Sequence, residues 1–528
     1  MPDLHPPEYD VIVVGGGGSG LAAAVSAAEH GGSVLLLEKR PVLGGTTGIA
    51  VGSFTAAGTR LQQQKGISDT PAEHAEDAAK FAPATIEACN HEPLRRFFLE
   101  RAADTLAWLE GLGLSFYGPS PEPPNRVPRM HNVVPGARAY IVALQLKLQA
   151  LGGTVQTSAD VQRLVRDGDR VAGVEALVAG RLQTYRARRG VILAAGDYAG
   201  NGAMIARFKG EAFSAVEGIN PYATGDGHRL AEEAGARLLN MDITYGPELR
   251  FVAPVRKPFD RCLPVGGRWG RLLGAIARRL PAAIMRAYIK RLLVTWQHPE
   301  DALFDDGAIL INRRGERFAN ERQSPARELA VVPQPDKEAF LLLDGRLCRR
   351  YSAWPHFIST APDIAYAYVA DYLRLRPDVA IQDDTLAAVA RRRGLDPRVL
   401  EQTVAAFNRY ARGEADDPYG RTGDTQTARA LRLSGSDDPY GRTGDTHPME
   451  QGPWLLLGPV KAYFTTTEGG AAINQRLQVL DQQSRPIPGL HAVGQNGLGG
   501  QVLWGHGLHI AWAITSGRLA GQAVMADE

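Results

Sequence analysis

The feature that most limits what this chain can fold into lies at its start. Tyr9-Asp10-Val11-Ile12-Val13-Val14 is a short apolar run that reads as a buried strand. It leads straight into Gly15-Gly16-Gly17-Gly18-Ser19-Gly20, then into the small, helix-prone Leu21–His30, which Gly31-Gly32 stops. Ser33–Glu38 is a second strand. In such a βαβ unit Gly15 permits the tight turn, Gly17 lets the backbone approach a pyrophosphate, and Gly20 lets helix and strand pack closely. The helix N-terminus, with Gly18 and Ser19 in its first turn, supplies free N–H groups and the positive end of a dipole. Glu38 closes the second strand, where it can accept both hydroxyl hydrogens of a ribose. Strand, turn, helix, strand and acid in register specify a Rossmann-like α/β domain that binds a dinucleotide.

The rest of the composition sets bounds. At 528 residues the chain can bury two or three cores. A formal net charge of +2 gives no global field to recruit nucleic acid. The first residues, Met1–Glu8, lack a basic stretch followed by an apolar one, and no apolar run reaches the roughly 20 residues of a membrane span, so a cytoplasmic protein is expected. Cys89, Cys262 and Cys348 are scattered, which excludes a haem-attachment, iron–sulfur or dithiol motif; each reads as a small buried hydrophobe. Electrons must then leave through an external acceptor.

Lys39 and Arg40 follow Glu38 and could suggest a 2′-phosphate, but Gly44-Gly45-Thr46-Thr47 comes next. A second glycine pair with hydroxyls at that place resembles FAD-dependent oxidoreductases, and no second GxGxxG unit follows to make a separate NAD domain. From here the chain resembles the superfamily of fumarate reductase flavoproteins and 3-ketosteroid dehydrogenases. The resemblance rests on Gly44–Thr47, Ala56-Ala57-Gly58-Thr59, Val191–Gly196, Ala223-Thr224-Gly225-Asp226-Gly227, Ala308–Glu321, Pro486–Gly494 and Gly505-His506-Gly507-Leu508.

That resemblance implies a discontinuous FAD-binding domain, 1–242 plus 458–528, with an inserted α+β cap domain at 243–457. It implies FAD contacts at Gly15, Gly17, Gly18, Ser19, Gly20, Glu38, Lys39, Gly44, Gly45, Thr46, Thr47, Gly52, Val161, Ala195, Gly196, Asp226, Gly494, Gln495, Gly507, Leu508 and Ile510. The last helix, starting near Leu508, would aim its N-terminus at the pyrimidine edge of the flavin. Thr46 stands where covalent-flavin members carry a histidine, so the FAD is expected to be non-covalent.

The substrate-binding residues depart from the family. The two histidines and two arginines that grip a dicarboxylate fall on Pro247, Thr465-Thr466, Pro325 and Gly497 or Trp504. Burying two carboxylates without cations costs several kcal/mol per charge, which argues against fumarate. The ketosteroid dehydrogenase tyrosine before the Gly-x-Gly turn falls on Leu503. The remaining catalytic candidates are Tyr117, His131, Tyr140, Tyr245, Arg327, Trp504 and His506.

Two further segments stand out. Between Arg261 and Pro299 there is no acidic residue, while apolar and basic residues recur at helical spacing. This reads as a lid, a subunit contact or, over 268–296, a peripheral membrane contact, and favours a hydrophobic substrate. The decapeptide Asp416–Thr425 recurs unchanged at Asp437–Thr446 and reads as an exposed turn. The leading reading is oxidation of a carbon–carbon bond beside a carbonyl of a hydrophobic, 3-ketosteroid-like molecule. The alternatives are an ene-reductase of an unsaturated monocarboxylate held by Arg327 or Arg129, and a flavin-bound protein that docks on a membrane or partner.

Overall fold

A computed structural model describes residues 6–254, 276, 282–361, 365–421 and 447–526. Most of the basic insert, Cys262 and the second decapeptide lie outside the described residues. The chain forms two units. Among the described residues, one runs to Tyr245 and resumes at Thr465, and the other runs from Gly246 to Phe464.

The first unit is built on an eight-stranded sheet. Its strands are β1 (Glu8–Val14), β2 (Val34–Glu38), β3 (Thr154–Thr157), β4 (Ala159–Asp167), β5 (Arg170–Val178), β6 (Arg181–Leu193), β7 (Gln478–Leu480) and β8 (Pro486–Ala492), in the order β7-β8-β6-β1-β2-β3. The pairs β1–β2, β1–β6, β2–β3 and β6–β8 are parallel, and β4 and β5 form an antiparallel extension from β6. Val11–Val14 and Val34–Leu37 are buried to a man, as a parallel strand covered on both faces demands. Helix α1 (Gly18–Glu29) packs against the C-terminal helix α2 (Leu508–Ala526). The topology brings the two ends of the sequence to one place: β8 lies beside β6, and β6 beside β1.

The second unit centres on the long strand Trp454–Phe464, which pairs antiparallel with Glu248–Phe251, Ala339–Leu343 and Ala380–Asp383. Leu341, Leu343, Leu455 and Leu457 join one core, while Phe340, Leu342 and Leu456 join the other. This alternation puts apolar layers on both faces of the sheet. Helices Leu386–Arg393 and Pro397–Ala411 cover one face.

Three expectations change here. Helix Ala282–Trp296 buries Leu293 and Val294 in a core of this unit and pairs Lys290 with Asp371 at 2.9 Å, while Ile284 remains exposed. Part of the basic insert is therefore ordinary packing. Cys89 is exposed, because it ends a short surface turn; Cys348 is buried, which pushes its thiol up to about 12. The described part of the first decapeptide, 416–421, sends the Asp417 and Arg421 side chains into the interior. No helix among the described residues is long and apolar enough to cross a membrane.

Candidate cofactor and active site

The glycines of the first turn divide by what surrounds them. A Cβ on Gly15 would lie 2.3 Å from the Ala194 carbonyl oxygen, and one on Gly20 would lie 1.9 Å from that of Gly15. Both are glycine because protein packs there. A Cβ on Gly17 would meet nothing closer than 3.9 Å. Gly17 is also the N-cap of α1, with no side-chain cap and no acidic residue in the first turn, so the N–H groups of Gly18, Ser19 and Gly20 form a cradle for an anion. The second glycine loop closes over it. Gly44 bridges Gly17, Gly44 N–H donates to Gly16 O at 2.9 Å, and the Thr47 hydroxyl lies against Gly18. Thr46 Oγ1 accepts from Asn220 at 3.0 Å.

Glu38 is buried beside this cradle. Its two oxygens accept from Gly16 N–H at 2.8 Å and Arg40 N–H at 2.9 Å, which fixes the carboxylate and leaves lone pairs for ribose hydroxyls. Lys39 pairs with Asp226 at 2.6 Å, tying the loop after β2 to the Thr224–Gly227 segment. The Arg40 guanidinium lies 3.9 Å from the centre of the Tyr222 ring. Both basic residues are thus engaged within the protein, against a 2′-phosphate role. Val161 is buried on β4 and its carbonyl accepts from Arg229 at 3.4 Å.

The other end of the site is organised by a residue that the sequence reading missed. Asn496 accepts from Ala195 N–H at 2.6 Å and donates to Gly196 O at 2.9 Å and to His228 Nδ1 at 3.1 Å. His228 Nε2 in turn donates to Gly469 O at 2.9 Å, so the ring is a neutral tautomer, and burial holds it down to about 4. Gly494 N–H donates to Ser516, and its carbonyl accepts from Trp512 Nε1 at 3.0 Å. Gln495 donates to Thr466 Oγ1 and Thr467 O. The signal for Asn496 was its place between Gln495 and Gly497 in the second glycine cluster. Asp197 is buried next to this loop, accepting from Ala199 N–H at 2.8 Å, and burial pushes it up to about 6.

The Gly505-His506-Gly507 turn leads into α2, with Leu508 buried and Ile510 half-buried. Thr55 donates to His506 O at 2.6 Å, and Ala511 N–H to Gly507 O at 3.0 Å. Two histidine–glutamate pairs flank the turn. Glu122 Oε1 accepts from the His506 backbone at 2.8 Å and lies 2.5 Å from His506 Nδ1; the glutamate is buried and the imidazole 56% exposed. His509 Nε2 lies 2.7 Å from the buried Glu468, whose other oxygen accepts from Leu503 N–H at 3.2 Å. His509, Glu468 and Glu122 were not expected from sequence. Tyr245 and Trp504 meet edge to face at 5.3 Å, and the indole N–H of Trp504 is buried without a hydrogen-bond partner among the described residues. Tyr117 is half-buried on a strand opposite Asn132, which also faces Ser53 beside Gly507.

Five expected site residues are engaged by contacts within the protein. His131 is buried between Thr59 Oγ1 at 2.9 Å and Phe54 O at 3.3 Å, and burial holds it down to about 4. The Tyr140 hydroxyl donates to Gly52 O at 3.0 Å, and burial raises its pKa. Both are struts. Gly52 itself has Val133 and Ala137 within 3 Å of a Cβ position, so packing accounts for that glycine. Arg327 lies in the second unit, bound to Glu328, Asp301 and the Glu321 carbonyl. Arg129 is held in the same way by buried Asp69 and Asp77.

Comparison with known proteins fits this geometry. A probable fumarate reductase of Shewanella frigidimarina is 27% identical over 500 residues, 92% of this chain and 69% of that protein. A 3-oxosteroid 1-dehydrogenase of Mycobacterium tuberculosis is 27% identical over 408 residues, 74% of this chain and 63% of that protein. The open conformation of a flavocytochrome c3 fumarate reductase superposes with a TM-score of 0.70 at 26% identity, over 98% of this chain and 78% of the other. The profile of the FAD binding domain family matches residues 10–249 and 291–502. That match spans most of the sequence, so this chain belongs to the FAD binding domain family and is an FAD-dependent oxidoreductase.

Proposed function

We propose that the enzyme dehydrogenates a carbon–carbon bond next to the carbonyl of a neutral, largely apolar substrate. The observation that carries this reading is the chemistry around the Gly505–Gly507 turn. Among the described residues, the turn is flanked by the pairs His506–Glu122 and His509–Glu468, with Tyr245 and Trp504 meeting edge to face. Neither arginine considered for a carboxylate is available, since Arg129 and Arg327 each face buried acids. A substrate carboxylate at this turn would lie beside the buried Glu122 and Glu468, which disfavours it. The similarity to a 3-oxosteroid 1-dehydrogenase points the same way.

Bound FAD supplies the hydride acceptor. In the protein, Glu122 holds His506 through Nδ1–H, the tautomer in which Nε2 would act as the base that removes the acidic hydrogen next to the carbonyl. Glu468 holds His509 at the first turn of α2. The unpartnered indole N–H of Trp504 can donate to a carbonyl oxygen, which would lower the acidity barrier at the neighbouring carbon. Electrons then pass to an external acceptor.

The test is anaerobic mixing of the FAD-loaded enzyme with saturated 3-ketosteroids, simpler cyclic ketones and succinate, followed by flavin absorbance. Bleaching by a ketone and not by succinate is expected, with His506→Ala slowing it by about 100-fold or more while FAD stays bound. Reoxidation of the dithionite-reduced enzyme by an unsaturated acid, with no ketone bleaching it, would overturn the proposal.

A further inference from the structure

The first decapeptide does more than turn at the surface. Arg421 is fully buried and donates to Glu321 Oε2 at 2.9 Å, Ala308 O at 2.9 Å and Phe304 O at 2.6 Å. Asp417 is buried against Arg317 at 3.0 Å, and Arg317 binds Glu321 at 2.7 Å. Two arginines and two carboxylates thus close a neutral cluster. The Tyr419 hydroxyl adds a bond to Arg317 O at 2.8 Å. The socket recognises the motif Asp-Pro-Tyr-Gly-Arg through its acid, its phenol and its guanidinium. Residues 437–446 carry the same ten residues in the same order, with Asp438, Tyr440 and Arg442 in the places of Asp417, Tyr419 and Arg421.

We propose that the socket formed by Arg317, Glu321 and the carbonyls of Phe304 and Ala308 is a docking site for either copy of this motif, and that the second copy of the same chain exchanges with the first. Recognition chemistry allows it, because every group that the socket engages is duplicated. Chain connectivity allows it as well. The Arg421 and Arg317 guanidiniums lie 5.4 and 5.1 Å from the Phe407 ring. The neighbouring residue Asn408 holds Met449 by two hydrogen bonds of 2.7 Å. Socket and re-entry point therefore sit at adjacent residues of one helix, and the chain from Arg442 to Met449 reaches up to about 25 Å. Loop entropy does not oppose the exchange. With the first copy docked, the connection spans Arg421 to Met449; with the second docked, it would span Ala411 to Asp437, and the two sequence separations are nearly equal. The exchange would rebuild the buried cluster from identical groups.

Thermal unfolding of the full-length, FAD-loaded enzyme tests this with Arg421→Ala, Arg442→Ala and the double variant. Either single change is expected to shift Tm by no more than about 2 °C, because the intact copy fills the socket. The double change leaves Glu321 with one arginine fewer and is expected to lower Tm on the order of 10 °C. An Arg421→Ala protein that is as destabilised as the double variant, or fails to fold while Arg442→Ala folds, overturns the proposal. So does a double variant as stable as the parent, or an Arg421→Ala protein that recovers its stability only as an oligomer.

Discussion

At the scale of single residues, the first glycine turn separates glycines crowded by protein from one that is not, Gly17, which the proposed anion cradle would use. Gly20→Ala places a methyl group 1.9 Å from a backbone oxygen and has to displace α1 from β1. Gly17→Ala places it in open space at φ −80°, a conformation alanine adopts without strain. The expected outcome is that Gly17→Ala leaves the apo-protein Tm within about 2 °C of the parent but weakens FAD at least about tenfold, whereas Gly20→Ala loses both; flavin titration and thermal unfolding read the two effects. A Gly17→Ala protein with parental FAD affinity would remove the cradle assignment. The βαβ unit itself was legible because its fingerprint is local: strand, turn, helix and second strand are contiguous in sequence. Asn496, Glu122, Glu468 and His509 were not. Each acts on a partner far along the chain, such as Ala195, His506 or Leu503, and nothing in their own neighbourhoods announces it. His131 and Tyr140 misled for the converse reason, since a buried strut and an active-site group look alike until their partners are seen.

At the scale of elements, the packing of α1 on α2 couples the first turn of the fold to its last helix. Every residue of α1 from Gly18 to Ala27 is buried, so the helix presents no free face. Two glycines of α2 make the close approach possible. A Cβ on Gly517 would lie 2.2 Å from Ser19 O, and one on Gly521 would lie 2.4 Å from Ala23 O. Alanine at either position should cost about 1–3 kcal/mol by forcing the helices apart. The two should differ in function. Gly517 bears on Ser19, in the anion-binding turn, so Gly517→Ala is expected to weaken FAD as well. Gly521→Ala, one turn further from that end, should lower Tm while FAD affinity stays within about twofold. Equal FAD affinities for the two variants would deny the coupling. The sequence made the existence of both helices plain, since their small and apolar residues are continuous. It did not show that they touch, because contact between residues near 20 and near 517 follows from sheet order and not from any local pattern.

At the scale of the molecule, the buried ionisable groups of the first unit set how it responds to acid, and their signs can be weighed against one another. Burial lowers His74 to about 3 and His131, His228 and His491 to about 4, against 6.5 for an exposed histidine. For these four the unfolded chain binds protons first. Their contribution is complete above pH 6.5 and is lost as pH falls toward 4, at up to ~3 kcal/mol each. Asp197 acts in the opposite sense. Its carboxyl is raised from 3.8 to about 6, so the folded state holds the proton longer and stability rises by up to ~3 kcal/mol as pH falls from 6 to 4. Four histidines outweigh one aspartate, and their combined loss is comparable with the whole stability of a typical domain, about 5–15 kcal/mol. The unit is expected to unfold and release FAD between pH 6 and 4, read by circular dichroism and flavin fluorescence. His74→Leu should move that midpoint lower, since His74 lies fully buried with an unpartnered Nδ1 that proton uptake would leave charged in the interior. Asp197→Asn should act elsewhere on the curve: it removes a charge buried at pH 7, raising stability there by up to ~3 kcal/mol, and matches the protonated parent at pH 4. Stability that stays flat from pH 7 to 4 would show that these histidines reach water in solution.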